Sequence, residues 1–349
     1  MSQAQTRKQM EEPFGLDQHG GDLADAAQLA ENEQEGLSEP WLDLSTGISP
    51  TSYAVPGLSP ETWSRLPGRS ELAELREAAR AYYGAPDADH VVAGPGSESL
   101  IQRLPELFKP RTVAIVGPTY LSHGEAWQRA GHRLRQISVL SDARPEEIAV
   151  IVNPNNPDGR WESGEALERA CGKHSASGGW LIVDEAFGDV ELGRSMAHAC
   201  RSNSVMVLRS AGKFFGLAGL RLGFAVAPLI MAKRLREALG EWALSGPAIA
   251  IGTRCLRDED WQRQQRAELD EAARRLDGIL TGAGLAVVGG TILFRLVEAA
   301  AAPRLFRHLL TKRIYVRRFG YNRHWLRIGM PAAGADFSRL KSALETFEP

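Results

Sequence analysis

Cysteine is scarce in this chain: Cys171, Cys200 and Cys255 are the three in 349 residues, far apart and in no metal-type spacing. They leave an odd thiol, fit a reducing cytoplasm and are expected to be buried packing residues. The eight histidines show no HxxxH-type clustering, so no metal site is expected. No apolar run approaches the length needed to span a bilayer, and no basic start, apolar core and cleavage site combine near the N-terminus. Neither sign of charge dominates. With a formal net charge of -2 and no long basic stripe, nucleic acid and membrane surfaces are not expected as partners, and the ligand to look for is small. What is present, 43% hydrophobic and 24% charged residues, suffices for a sizeable core and about two domains.

The densest stretch is Val205 to Ala227, VMVLRSAGKFFGLAGLRLGFAVA. Val205 to Leu208 and Phe224 to Ala227 read as buried strands, because short apolar runs bounded by glycine suit strands covered on both faces. Lys213 therefore stands at the mouth of a core. Alone it reads first as a snorkelling surface lysine and only second as an amine nucleophile whose charge is disfavoured by burial. Ser210, three residues before it, and Arg221, eight after, tip the reading, since a hydroxyl and a guanidinium beside an amine converge on an anion such as a phosphate.

Other stretches carry the same kind of signal. His90 to Leu107 reads as a strand turning through Pro95-Gly96-Ser97 into a helix, whose first N–H groups can cradle phosphate. Arg111 to Gly117 is a strand ending in Pro118-Thr119-Tyr120, with His123 just beyond; an aromatic at a strand's carboxyl end faces the crevice where ligands bind, or fills core. Ile148 to Val152 leads into Asn153-Pro154-Asn155-Asn156-Pro157-Asp158-Gly159, first of all a turn. Gly179 to Val190, GWLIVDEAFGDV, is a buried strand with consecutive acids at its end, one of which must point inward. Asp22 to Glu31 and Ser70 to Tyr83 have helical spacing, the latter with Ser70 as N-cap. Trp41 to Pro50 is a short strand and loop. After a domain crossing near Ala238 to Gly246, Asp260 to Leu280 is a long charged helix. The remainder alternates a strand at Gly290 to Val297, a helix at Pro303 to Leu310, and strands at Ile314 to Arg318 and Trp325 to Gly329. His19-Gly20-Gly21 reads as a turn or as an anion contact, and Arg317 and Arg327 as salt-bridged surface arginines or anion holders.

Together these motifs resemble the fold-type I aminotransferase superfamily, over about Trp41 to Met330. The resemblance implies an α/β fold-type I pyridoxal phosphate (PLP) transferase. A large domain, residues 46–240, holds a mainly parallel seven-stranded sheet between helices; a smaller α+β domain spans 241–349. Residues 1–45 form a partly mobile N-terminal segment packing with the small domain. It also implies roles: Lys213 holds PLP as a Schiff base; Gly96, Ser97, Ser210 and Arg221 take its phosphate; Tyr120 stacks on its ring; Asn156 bonds its phenolic oxygen; Asp184, backed by His123, pairs with its ring nitrogen. Asp158 replaces the family's usual Thr, expected as a harmless surface change. Phe187 replaces a common Tyr that would share the phenolic oxygen.

Within the superfamily the chain is most similar to the threonine-phosphate decarboxylases of cobalamin biosynthesis, relatives of the histidinol-phosphate aminotransferases. The N-terminal HGG, DEAF instead of DEAY, and KFFGLAGLRLGF with downstream Trp242 and Ser245-Gly246-Pro247 carry that likeness. It implies PLP-dependent decarboxylation of L-threonine O-3-phosphate, with His19 and Arg317 as candidates for the substrate phosphate, Arg327 for its carboxylate and Asn156 beside them. Amino-acid transamination is the alternative. Leu66-Pro67-Gly68 stands where aminotransferases place Tyr-Pro, whose tyrosine reaches the neighbouring subunit of a homodimer; its absence weakens the alternative. A cytoplasmic homodimer acting on a small phosphorylated amino acid is expected.

Overall fold

Apolar runs of four to six residues become neighbouring strands, as expected of segments buried on both faces. The chain divides into two compact units, residues 51–265 and residues 1–50 with 266–349. The computed structural model describes residues 20–30, 39–55, 57–201 and 203–348. The second of these units contributes β1 (Leu42–Leu44). The larger unit supplies β2 (Val91–Gly94), β3 (Thr112–Val116), β4 (Arg133–Ile137), β5 (Ile148–Val152), β6 (Trp180–Asp184), β7 (Val205–Ser210) and β8 (Gly223–Val226). The smaller unit resumes with β9 (Ala286–Thr291), β10 (Phe294–Glu298), β11 (Ile314–Phe319) and β12 (Asn322–Gly329).

The larger unit is a seven-stranded sheet in the order β2-β8-β7-β6-β5-β3-β4. Every neighbouring pair is parallel except those made by β8, which runs against both β2 and β7. This is the mainly parallel sheet the resemblance implies. Val113, Ile148, Val150, Ile182 and Leu208 are all withdrawn from water, each adding roughly 1.5–3 kcal/mol before entropy is charged. Parallel β strands need crossovers, and helices Leu121–Arg129 and Gly164–Ala176 supply two of them. The consequence for function is geometric. The loops after β2, β3, β5, β6 and β7, and the loop entering the reversed β8, all open at one end of the sheet.

Helix Arg69–Tyr83 starts one residue earlier than its expected cap. Gly68, not Ser70, is the N-cap, and its N–H donates to the Glu71 carboxylate at 2.6 Å. Where the sequence suggests a crossing near 238–246, the chain makes a break between helices Leu229–Leu239 and Gly246–Arg257, and the two units part at Gln265. The second helix is capped by Ser245, whose hydroxyl accepts the Ala248 N–H, and carries Pro247 in its first turn, where a missing N–H does no harm.

The smaller unit is a five-stranded sheet ordered β1-β11-β12-β10-β9, with β1 parallel to β11 and the rest antiparallel. The segment expected as one strand, Gly290 to Val297, is a hairpin instead. The Thr291 hydroxyl accepts the Leu293 N–H at 3.1 Å and turns the chain between β9 and β10. Helix Leu23–Ala30 packs against helix Ala302–Thr311 of the same unit. Cys171, Cys200 and Cys255 are buried and free, as their spacing suggests.

Candidate active site

A cavity of about 240 Å³ lies at the loop end of the seven-stranded sheet, lined by Ser97, Glu98, Tyr120, Asn156, Asp184, Phe187, Ser210, Lys213 and Arg221 among others. In open α/β sheets the carboxyl ends of parallel strands form the binding crevice. The sheet's construction explains the convergence. Asp184 is the last residue of β6, Ser210 the last of β7, and Asn156 and Tyr120 follow β5 and β3 by a few residues. Arg221 reaches the same rim because β8 is reversed, so its preceding loop lies where its neighbours' following loops do. Its backbone is left-handed, φ 52°.

Asp184 is buried, and both its oxygens accept hydrogen bonds: Oδ2 lies 2.8 Å from His123 Nε2, and Oδ1 takes the Ala186 N–H at 2.9 Å. The carboxyl group is thus held in one orientation in a nearly dry place, and it lines the cavity. Ser97, Ser210 and Arg221 also line the cavity. Two glycines make room for them. A Cβ on Gly96, which has φ 84°, would meet Arg221 Nη2 at 2.4 Å, and one on Gly223 would meet the Ser97 amide nitrogen at 2.2 Å. Both glycines therefore keep backbone N–H groups and a guanidinium close together. The Lys213 Nζ stands 5.5 Å from the centroid of the Phe187 ring.

Tyr120 donates its hydroxyl to Glu98 Oε2 at 3.0 Å, and Gln102 Nε2 donates to Glu98 Oε1 at 2.6 Å. Burial pushes the Tyr120 phenol up, with Glu98 adding to it, so the hydroxyl stays a donor. Glu98 was not legible as part of the site, although a carboxylate one residue after the Gly-Ser turn is a signal to weigh. The Asn153–Gly159 loop corrects another expectation. Asp158 is no surface ornament: its Oδ1 accepts from Asn155 Nδ2 at 2.8 Å and from the Arg160 N–H at 3.1 Å. Asn155 in turn donates to Pro118 O at 3.0 Å and accepts from the Thr119 hydroxyl at 2.7 Å. The loops bearing Tyr120 and Asn156 are thereby fastened to each other.

Eight of the ten residues expected around the cofactor thus line one cavity, while His123 touches Asp184 and Gly96 touches Arg221. Arg317 and Arg327 belong to the smaller unit, where they are direct cross-strand partners on β11 and β12. Arg327 is 6% exposed and donates Nη2 to Ser45 O at 2.9 Å. His19 lies outside the described residues; its neighbour Gly20 has no room for a Cβ, which would meet Ser45 O at 2.4 Å.

A sheet of this order with a lysine, a buried aspartate and a serine-arginine pair at its carboxyl rim defines an α/β enzyme scaffold of the aminotransferase type. The comparisons place it further. The profile of the family "Aminotransferase class I and II" matches residues 54–347, and the chain belongs to that family. Threonine-phosphate decarboxylase from Sinorhizobium sp. is 40% identical over 95% of this chain and 98% of its own length. The enzyme of that name from Pseudomonas aeruginosa is 39% identical over the same shares. Among solved structures, L-threonine-O-3-phosphate decarboxylase from Porphyromonas gingivalis has a TM-score of 0.74 at 17% identity, covering 88% of this chain and 99% of its own. That likeness speaks for the fold.

Proposed function

We propose that the protein is a PLP enzyme that decarboxylates L-threonine O-3-phosphate to aminopropanol phosphate and carbon dioxide, as a step in making cobalamin. The observation that carries the cofactor reading is the set of groups that line one cavity: a carboxylate fixed by its hydrogen bonds, a cradle of N–H, hydroxyl and guanidinium, and an amine. A flat ring with a basic nitrogen on one side and a phosphate on the other fits that donor set. The decarboxylase relatives matched nearly end to end support the substrate.

When bound, PLP supplies an aldehyde that captures amines and a ring that takes up the electron pair released at the substrate's α-carbon. The chain's residues do the rest. Ser97, Ser210 and Arg221, with Gly96 giving them room, would hold the phosphate; Tyr120, held by Glu98, would lie against the ring. Asp184 holds a proton on the ring nitrogen by its charge, and His123 fixes which way that carboxylate faces. Asn156 donates to the phenolic oxygen without help from position 187, where phenylalanine has no hydroxyl. Lys213 would be the amine that holds the cofactor and moves protons. Arg327 would take the substrate carboxylate, and Arg317 and His19 its phosphate. By setting how the substrate carboxylate is presented, that grip would decide between loss of carbon dioxide and transamination.

A homodimer working in the cytoplasm completes the reading. Three buried free thiols support a reducing compartment. Exposed Trp63, Leu66 and Trp242 in the larger unit support an interface. The test is product analysis with threonine phosphate and no keto acid. Stoichiometric carbon dioxide and aminopropanol phosphate are expected, with Lys213→Ala inactive and lacking the cofactor's absorbance band. Turnover of histidinol phosphate that depends on a keto acid, without carbon dioxide, overturns it.

A further inference from the structure

Behind the cavity, on the opposite side of the sheet, lies a second set of charges that the chemistry above does not use. Arg209, Glu185 and Asp189 are 2%, 1% and 0% exposed. Arg209 Nη1 donates to Glu185 Oε2 at 2.7 Å, and its Nη2 donates to Asp189 Oδ1. The guanidinium also stacks 4.5 Å above the Tyr83 ring. Glu185 spends its other oxygen on the Met196 N–H at 2.8 Å. Gly188 leaves room for this fork: a Cβ there would meet Arg209 Nη1 at 2.6 Å and Glu185 Cβ at 3.1 Å.

The placement within the strands gives the cluster its meaning. Successive residues of a strand point to opposite faces. Asp184 is paired with Leu208 in the β6–β7 register, and Glu185 continues the ladder by donating its N–H to Leu208 O at 2.8 Å. Asp184 and Ser210 therefore face the cavity, while Glu185 and Arg209, each one residue away, face the opposite side. Asp189 follows Phe187 by two residues, and the Gly188 N–H closes the turn onto Glu185 O at 2.8 Å. One guanidinium thus grips both ends of the turn 185–189 and is itself the neighbour of Ser210, three residues before Lys213.

We infer that Arg209 is a positioning residue for the reaction: through Glu185 and Asp189 it sets the Asp184 carboxylate and the Phe187 ring against Ser210 and Lys213. A simple structural filler would stabilise the fold equally well as a well-packed apolar cluster, since buried ion pairs seldom exceed such a cluster in net stability. What a planar, two-armed cation adds is direction, because its fork admits two carboxylates at fixed angles. Lysine keeps the charge and loses the fork.

This inference rests on the cofactor reading above, and the test separates the two. Arg209→Lys is compared with the natural protein in two measurements. In the cofactor-free protein, amide hydrogen exchange of residues 186–190 and Met196 is expected to speed up at least about tenfold, while β3 and β5 keep their rates. In the PLP-loaded enzyme, kcat is expected to fall on the order of 10- to 100-fold with KM within about twofold, and the pH midpoint of the bound cofactor's absorbance to shift by about half a unit or more. Unchanged exchange in 186–190, or an unchanged absorbance midpoint and kcat in a variant that has merely lost thermal stability, overturns the inference. Should Arg209→Lys fail to fold, Glu185→Gln carries the same expectations, because it preserves shape and leaves Asp189 on the guanidinium. A natural protein that never develops the cofactor band sinks the cofactor reading instead, and the exchange measurement then decides the Arg209 question alone.

Discussion

Replacing His123 by phenylalanine isolates one hydrogen bond. The imidazole and the Asp184 carboxylate are 1% and 2% exposed and meet at 2.8 Å, and phenylalanine keeps the ring while removing the donor. Asp184 would retain the Ala186 N–H at 2.9 Å and nothing on Oδ2 from position 123. A hydrogen bond to a charged group is worth about 1.5–3 kcal/mol, and the volume-conserving change leaves little cavity to add. At roughly 2–4 °C per kcal/mol for a unit of this size, the cofactor-free protein should melt about 3–12 °C lower by calorimetry. If the same loss of orientation is felt at the ring nitrogen, kcat falls on the order of 10- to 100-fold, since each 1.4 kcal/mol is about tenfold. KM should hold, as the arginines assigned to the substrate's anions are untouched. Steady-state carbon dioxide release measures both constants, and His123→Gln, which offers a new N–H, should recover part of kcat. A His123→Phe enzyme with lowered melting temperature but natural kcat would refute the reasoning.

Gly223→Ala drives a Cβ to within 2.2 Å of the Ser97 amide nitrogen, a backbone atom that cannot swing away. Overpacking of this kind costs about 1–3 kcal/mol, and PLP affinity measured by fluorescence quenching should fall more than affinity for pyridoxal, which lacks the phosphate; equal losses would contradict the cradle. Burial and the bond to Asp258 raise the Tyr53 phenol from 10.0 to about 12. Its stabilising contribution is therefore present below pH 10 and lost as pH rises through about 12, so denaturant titrations of Tyr53→Phe should differ most from the natural protein below pH 10 and converge above 12. At Glu147, burial pushes the carboxyl up, but the Arg135 fork and the Arg144 N–H outweigh it and leave the group below its ordinary range. That stability exists above the ordinary carboxylate range and disappears as pH falls through the depressed value; Glu147→Gln should flatten the acid limb of the stability curve, and an unchanged limb would exclude the pairing.

Legibility followed burial and sequence distance. β3, β5, β6 and β7 announce themselves because both faces are apolar, whereas β4, Arg133–Ile137, alternates at the sheet edge and hides in a polar stretch. The helix Gly246–Arg257 was masked by its glycines. Gly252 sits inside it because a Cβ there would meet Leu222 Cδ2 at 2.3 Å, so close packing and not a turn demands the residue. The cofactor residues were readable since each follows its own strand within a short motif. Glu98 and Arg209 were not, because their meaning lies in partners 22, 24 and 20 positions away. Asp158 is opaque for a related reason: its value is the amide it holds, three residues earlier.

All the residues given to the cofactor lie between Gly96 and Arg221, inside the seven-stranded unit, while Arg317 and Arg327 are carried by the other sheet. Because the grip proposed for Arg327 helps decide the substrate's fate, changes confined to the second sheet would alter both what is accepted and what becomes of it while leaving the cofactor cradle as it is. A chimera joining this chain's seven-stranded unit to a cousin's five-stranded one is the natural way to ask how far binding and outcome are coupled.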